Sequence, residues 1–170
     1  MDEQVIREQV NSAWDDCGKC SKYVGALMME TIRQALQKNG IPVSTRDVFI
    51  KEIPIEFDLV IPRHGAPEPI HGILYEPEDV VAVLEIKASG LCDYNSKNRI
   101  EACREKVLKE NSKIFFGYVT LSENQKFHEK NFHEDEWAYP LFWWRGKDKY
   151  DSTGSWQKLL NELHKCINAQ

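Results

Sequence analysis

Three residues of this 170-residue chain combine the types and spacing that metal-assisted chemistry needs: Asp58, Glu85 and Lys87. Glu85 and Lys87 close the run Asp79-Val-Val-Ala-Val-Leu-Glu-Ile-Lys87, which is otherwise almost wholly apolar. Alternate residues of a strand share a face, so a strand here projects a carboxylate and an ammonium together from the end of a core element. Asp58 lies in a second strand-like stretch, where Ile53, Ile55, Phe57, Leu59 and Ile61 alternate with Glu52, Pro54, Glu56, Asp58 and Val60. Pairing the two stretches brings Asp58 towards Glu85 and Lys87. Mg2+ takes oxygen ligands and is typically bound through one or two carboxylates together with substrate phosphate. Asp58 and Glu85 meet that need, the backbone carbonyl of Ile86 adds a third oxygen, and Mn2+ is the expected substitute. Lys87 then lies where it can orient the attacking water and stabilise charge on phosphoryl oxygens. The implied reaction is phosphodiester hydrolysis. Glu56 shares the Asp58 face and competes for the role of first ligand.

The elements that must position these groups can be read from periodicity and punctuation. Val5, Ile6, Val10 and Trp14 predict a short amphipathic helix over 2–14. A longer helix is expected from about Lys22 to Lys38, with Ser21 as N-cap, Leu27, Met28, Ile32, Ala35 and Leu36 buried, and Asn39-Gly40 closing it. Glu30 sits at the edge of that stripe, between an exposed helical glutamate and a side chain reaching the metal cleft. A first strand is expected around 48–53 and a second over 55–61, with Pro54 breaking them. Residues 63–78 read as a long connection holding a short strand at Ile70 to Tyr75, with His64 and His71 as loop histidines. A helix from Asn95-Ser96 to about Asn111 follows the Glu-x-Lys strand, with Ile100, Cys103, Val107 and Leu108 as its apolar stripe. Lys113 to Leu121 is a further strand by its β-branched and aromatic content. Strand, helix, strand favours a parallel pair with a crossover. Residues 123–135 read as a polar stretch. The aromatics of 139–145 then make a final strand, and Trp156, Leu159, Leu160, Leu163 and Cys166 a C-terminal helix. The expectation is an α/β fold, a central mixed sheet of four to five strands flanked by helices. One domain is expected over 1–170, its motif-bearing core at about 22–121 and its last strand and helix at about 139–168.

Composition narrows the function classes. A formal net charge of −5 argues against a general polyanion binder resting on a basic surface. It leaves room for a local groove, and Lys97, Arg99 and Arg104 on the helix after Lys87 are the expected nucleic-acid contacts. Apolar runs are too short to cross a bilayer and the start has no signal-peptide core, so a cytoplasmic protein is expected. Five cysteines without such a signal speak against a disulfide framework. Cys17-Gly-Lys-Cys20 has the spacing of a zinc half-site, but no second such pair follows, and free thiols are the expected state.

Asp58 followed by Glu85-Ile-Lys87, on consecutive core strands after a helix carrying Glu30, resembles the PD-(D/E)XK nuclease superfamily, with its restriction-endonuclease-like fold. The resemblance implies that Asp58 and Glu85 ligate Mg2+, that Lys87 assists the attacking water, and that Glu30 adds a carboxylate from the first core helix. It departs from the family pattern at Phe57, where a proline often precedes the aspartate. The implied activity is a Mg2+-dependent nuclease acting on DNA rather than RNA, with a homodimer among the possible active units. The competing reading is a catalytically inactive nuclease-fold module that binds nucleic acid or protein.

Overall fold

The computed structural model describes residues 3–17, 20–89, 94–132, 136–146 and 149–169. Its centre is β5 (Val80–Lys87), in which Val80 to Leu84 are all buried. Burying such a side chain fully is worth about 1.5–3 kcal/mol, so a continuous apolar run belongs in the middle of a covered sheet. On one side β5 pairs antiparallel with β3 (Leu59–Pro62), Leu59 facing Leu84 and Val60 facing Val83. On the other it pairs parallel with β6 (Phe115–Glu123), which pairs parallel with β7 (Ala138–Trp144), and β8 (Tyr150–Ser152) closes the edge antiparallel. The resulting five-stranded sheet, in the order β3-β5-β6-β7-β8, is the mixed sheet expected from the sequence.

A second sheet of three strands was not expected. It is ordered β2-β1-β4 and built from β1 (Val48–Ile50), β2 (Ile53–Phe57) and β4 (Leu74–Tyr75). Its hairpin turns at Lys51-Glu52, where Glu52 has φ +66°. Pro54 is accommodated inside β2 because β2 is an edge strand, so the break expected at Pro54 falls elsewhere. The chain bends at Asp58, and there it passes from the small sheet to the large one. The bend also resets the alternation. Ile53 and Phe57 pack on one side of the structure, Leu59 and Ile61 on the other, so 53–61 is not one continuous face.

Helices α1 (Glu3–Cys17), α2 (Ser21–Lys38) and α5 (Ser155–Asn168) cover one face of the large sheet. Ile6, Val10, Met28, Ile32, Leu36, Leu159 and Leu163 meet Ala82, Leu84, Ile86, Val119 and Leu121 there. The opposite face receives α3 (Tyr94–Glu110), α4 (Gln125–Phe132) and the small sheet, through Ile100, Val107, Phe132 and Phe57 against Val60, Val83, Phe116 and Tyr118. Helix α2 begins at Ser21 itself, after Cys20, with no side-chain cap bond, and Gly40 at φ +75° ends it. Helix α4 occupies part of the stretch expected to be merely polar. None of the described helices is long and apolar enough to cross a membrane.

Two local features shape the sheet. At β7, Pro140 offers no N–H to the outer edge, and the Thr153 hydroxyl donates to its carbonyl at 2.5 Å while the Thr153 amide donates to Leu141 at 3.1 Å. On β6, Gly117 lies opposite Leu84, and a β-carbon there would stand 2.7 Å from Leu84 Cδ2 and 3.2 Å from Phe115 Cε1. Filling this close approach overpacks the core. Gly117→Val should lower unfolding stability in urea by about 1–3 kcal/mol, and unchanged stability would show that the strands can separate there at no cost.

Candidate metal centre

The bend at Asp58 turns its carboxylate towards the end of β5. Oδ2 accepts the Ile86 amide at 2.6 Å and lies 3.4 Å from Lys87 Nζ. Lys87 Nζ also donates to Glu85 Oε1 at 2.5 Å. Glu85 and Lys87 share the face of Val83, so their charges emerge beside α3 where the apolar strand ends. Within a strand the N–H and C=O of one residue point to the same neighbour, so the Ile86 carbonyl is directed to the side occupied by Asp58. The structure therefore brings together Asp58, Glu85, Lys87 and the Ile86 backbone. Glu56 is exposed on β2, paired across to Phe49 of the small sheet, and does not share this cluster.

Electrostatics in the cluster are frustrated in a way that favours a cation. Burial raises the Glu85 carboxyl above its ordinary range, and the nearby Asp58 charge adds to this, against the opposing pull of Lys87. For Lys87, desolvation opposes the charge, but the Glu85 and Asp58 carboxylates outweigh it and the ammonium is held more firmly than usual. Two acids thus share one internal cation. Among the described residues, the contacts of Asp58 fall on Oδ2 and those of Glu85 on Oε1, which leaves Oδ1 and Oε2 as free oxygens for a divalent ion. A hard oxygen donor set of this kind fits Mg2+ or Mn2+.

Glu30 stands elsewhere. It lies on α2, which packs on the Leu84 and Ile86 face, whereas Glu85 and Lys87 point to the other. Its carboxylate is held by Arg33 at 2.7 and 2.9 Å and by Gln34 at 2.9 Å, and the Arg33 bond lowers its pKa to about 2. Among the described residues no three acidic, histidine or cysteine side chains gather into a metal cluster, so Glu30 does not join Asp58 and Glu85 in this arrangement.

The expected nucleic-acid contacts fare unevenly. Lys97 pairs with Glu101 at 2.5 Å, sets its ammonium 5.3 Å over the Phe132 ring, and keeps only 14% of its side chain exposed. Arg104 lies over Trp137 at 5.5 Å. Arg99 is exposed on α3. A residue with no assigned role in the sequence reading, Cys103, packs beside the cleft, where burial pushes its thiol up to about 12, with the Glu85 charge as the next cause. Only its place on the apolar stripe of α3 hinted at this. Cys20 is an exposed free thiol, and Cys103 and Cys166 are free as well, whereas Cys92 lies outside the described residues.

Two stability measurements follow from this geometry. Asp58→Ala leaves the Ile86 amide without its acceptor and should cost about 1–3 kcal/mol in urea unfolding, while Asp58→Asn, which keeps an acceptor oxygen, should cost less. The second concerns Glu85. Because its folded pKa is raised, the folded state binds more protons than the unfolded chain above the ordinary value of 4.5, so ionisation erodes stability as pH rises from there to the folded pKa. The stability of Glu85→Gln relative to the wild-type chain should therefore increase between about pH 4.5 and pH 8. A constant difference would show that Glu85 is not desolvated.

No family model matches this chain, and no curated protein sequence does. Solved structures do match its fold. NucC of Pseudomonas aeruginosa ATCC27853 in its cAAA-bound form superposes with a TM-score of 0.67 at 12% identity, over 96% of this chain and 88% of that one. NucC of Escherichia coli MS115-1 gives 0.68 at 12% identity in the cAAA-bound form, over 96% and 87%, and 0.56 at 13% identity in the apo form, over 98% and 97%. The chain accordingly has a restriction-endonuclease-like fold, related to NucC at the level of the fold.

Proposed function

We propose that this protein is a divalent-metal-dependent nuclease that hydrolyses phosphodiester bonds, with Mg2+ as its ion, Mn2+ as a substitute and DNA as its substrate. The observation that carries this reading is the convergence of Asp58 and Glu85 at the end of β5, each with an oxygen that no described residue bonds and with Lys87 between them. The restriction-endonuclease-like fold supports it, and the preference for DNA rests on the resemblance to PD-(D/E)XK nucleases.

In this reading Asp58, Glu85 and the Ile86 carbonyl would hold the ion. The ion supplies charge neutralisation at the phosphate and a more acidic water. The Ile86 amide keeps Asp58 in place, so the first ligand is orientated before the ion arrives. Lys87, 2.5 Å from Glu85 and 3.4 Å from Asp58, would position the attacking water and stabilise negative charge on phosphoryl oxygens. Arg99 is the exposed member of the expected contacts and is assigned to the substrate backbone, which fixes orientation without reading sequence.

Lys87 occupies Glu85 in competition with the ion, and this separates binding from chemistry. Calorimetric titration with Mn2+ should give binding that disappears in Asp58→Ala and Glu85→Ala but is at least as tight in Lys87→Ala. Cleavage of plasmid and of single-stranded DNA should fall about 100-fold or more in all three. Wild-type cutting by Glu85→Ala and Lys87→Ala would place the chemistry elsewhere. Mn2+ binding with no cleavage of DNA or RNA by the wild-type chain would favour the inactive module.

A further inference from the structure

Glu123, at the end of β6, is 3% exposed, and its Oε1 is buried with no hydrogen-bond partner among the described residues. Oε2 lies 3.3 Å from His128 Nδ1 and 3.5 Å from the Thr120 hydroxyl. A half-satisfied buried carboxylate costs stability, and one retained in a core calls for an explanation. Its visible service is to hold the His128 ring. That ring is clamped between Phe132, 5.4 Å away and nearly parallel, and Trp143, 5.2 Å away and edge-on. With Nδ1 held by Glu123, Nε2 lies on the opposite edge of the imidazole, and no described residue bonds it.

His128, Phe132 and Trp143 line a cavity of about 900 Å3 between α4, β7 and α5, together with Tyr139, Lys158 and the carboxylates Glu136 and Glu162, the latter paired with Lys165 at 2.6 Å. This is a volume typical of small-ligand sites. Phe132 and Tyr139 are buried, so the half-buried Trp143 ring, the Nε2 edge of His128 and the exposed Lys158 are the groups open to an unpaired nucleotide, the base against Trp143 and the phosphate on the ammonium. The position fits a strand leaving the metal centre. Pro140 in the cavity wall is in register with Thr120, and Thr120 with Lys87, so two strand spacings, about 10 Å, separate the catalytic strand from the cavity wall.

We propose that this cavity holds an unpaired nucleotide of the substrate strand, with His128 as the base-contacting group and Glu123 as the residue that positions it. The inference rests on the nuclease reading, since it takes the strand to be the substrate. It makes the preferred substrate one with a single-stranded segment beside the cut.

Fluorescence anisotropy in EDTA, with a labelled 12-nucleotide single strand and the blunt duplex of the same sequence, tests it without cleavage. The wild-type chain should bind the single strand at least about 10-fold more tightly than the duplex. His128→Ala should weaken single-strand binding by about 10-fold, in the range expected for a lost base contact. Lys158→Gln, on the exposed face of α5, should weaken it less and reduce the salt slope by about one unit. Glu123→Gln should weaken binding while raising unfolding stability, which a residue kept for structure alone would not do. Equal affinity for strand and duplex, or unchanged binding in both His128→Ala and Lys158→Gln, overturns the proposal; the lysine variant decides should the histidine variant fail to fold. Unchanged binding alongside cleavage that needs Asp58 and Glu85 removes the cavity and leaves the nuclease, whereas strand binding without that dependence removes the nuclease reading.

Discussion

The hydrogen bond from the Ile86 amide to Asp58 is the contact on which the centre depends. Asp58 sits at a bend where the chain leaves the small sheet for the large one, and nothing in β-strand pairing alone would fix its side chain there. The amide does so by continuing the β3–β5 ladder with a carboxylate in place of a main-chain carbonyl. A buried amide needs an acceptor, so backbone satisfaction and the orientation of the Asp58 carboxylate are met by the same bond. Moving the bend by one residue would turn a different side chain towards β5.

Around that bond the fold separates two tasks. One face of the large sheet is sealed by α1, α2 and α5 over aliphatic side chains and carries the bulk of the apolar packing. The other face, under α3, α4 and the small sheet, admits Glu85 and Lys87 at its rim. The strand that supplies the charges is held by neighbours on both sides, which limits how far they can drift. Lys87 acts meanwhile as an internal counterion for Asp58 and Glu85, and opposes the upward shift that burial imposes on the Glu85 carboxyl.

Much of this was legible in the residues because Asp58, Glu85 and Lys87 interrupt or terminate apolar strands, and a charge in such a place must be accounted for. Helices α2 and α5 were equally plain from their periodic stripes, and the parallel pair β5–β6 from the helix between them. What escaped were features set by tertiary context. The alternation of 53–61 looked continuous because a bend at one residue leaves no compositional trace, and Pro54 drew the break to itself although an edge strand tolerates it. Glu30 could not be placed because the face that α2 covers is decided by packing, and Arg33, three residues on, captures its carboxylate. Lys97 is among the expected nucleic-acid contacts, yet the ring of Phe132 and the charge of Glu101 draw it inwards. Strand β8 is three residues long, too short for any pattern to show.

The proline at the rim of the large sheet also bears on how copies of this protein can meet. Strand β8 covers only Phe142 to Trp144, so the earlier half of β7 lies at an outer edge of the sheet. Pro140 removes a donor from that edge, and Thr153 occupies the carbonyls of Pro140 and Leu141. An incoming strand would find its main-chain partners already taken. Assembly by extending the β-sheet is therefore closed along this stretch of β7, and a second copy meeting the molecule there has to use side-chain surfaces, which can be tuned by mutation without disturbing the β3–β5 ladder.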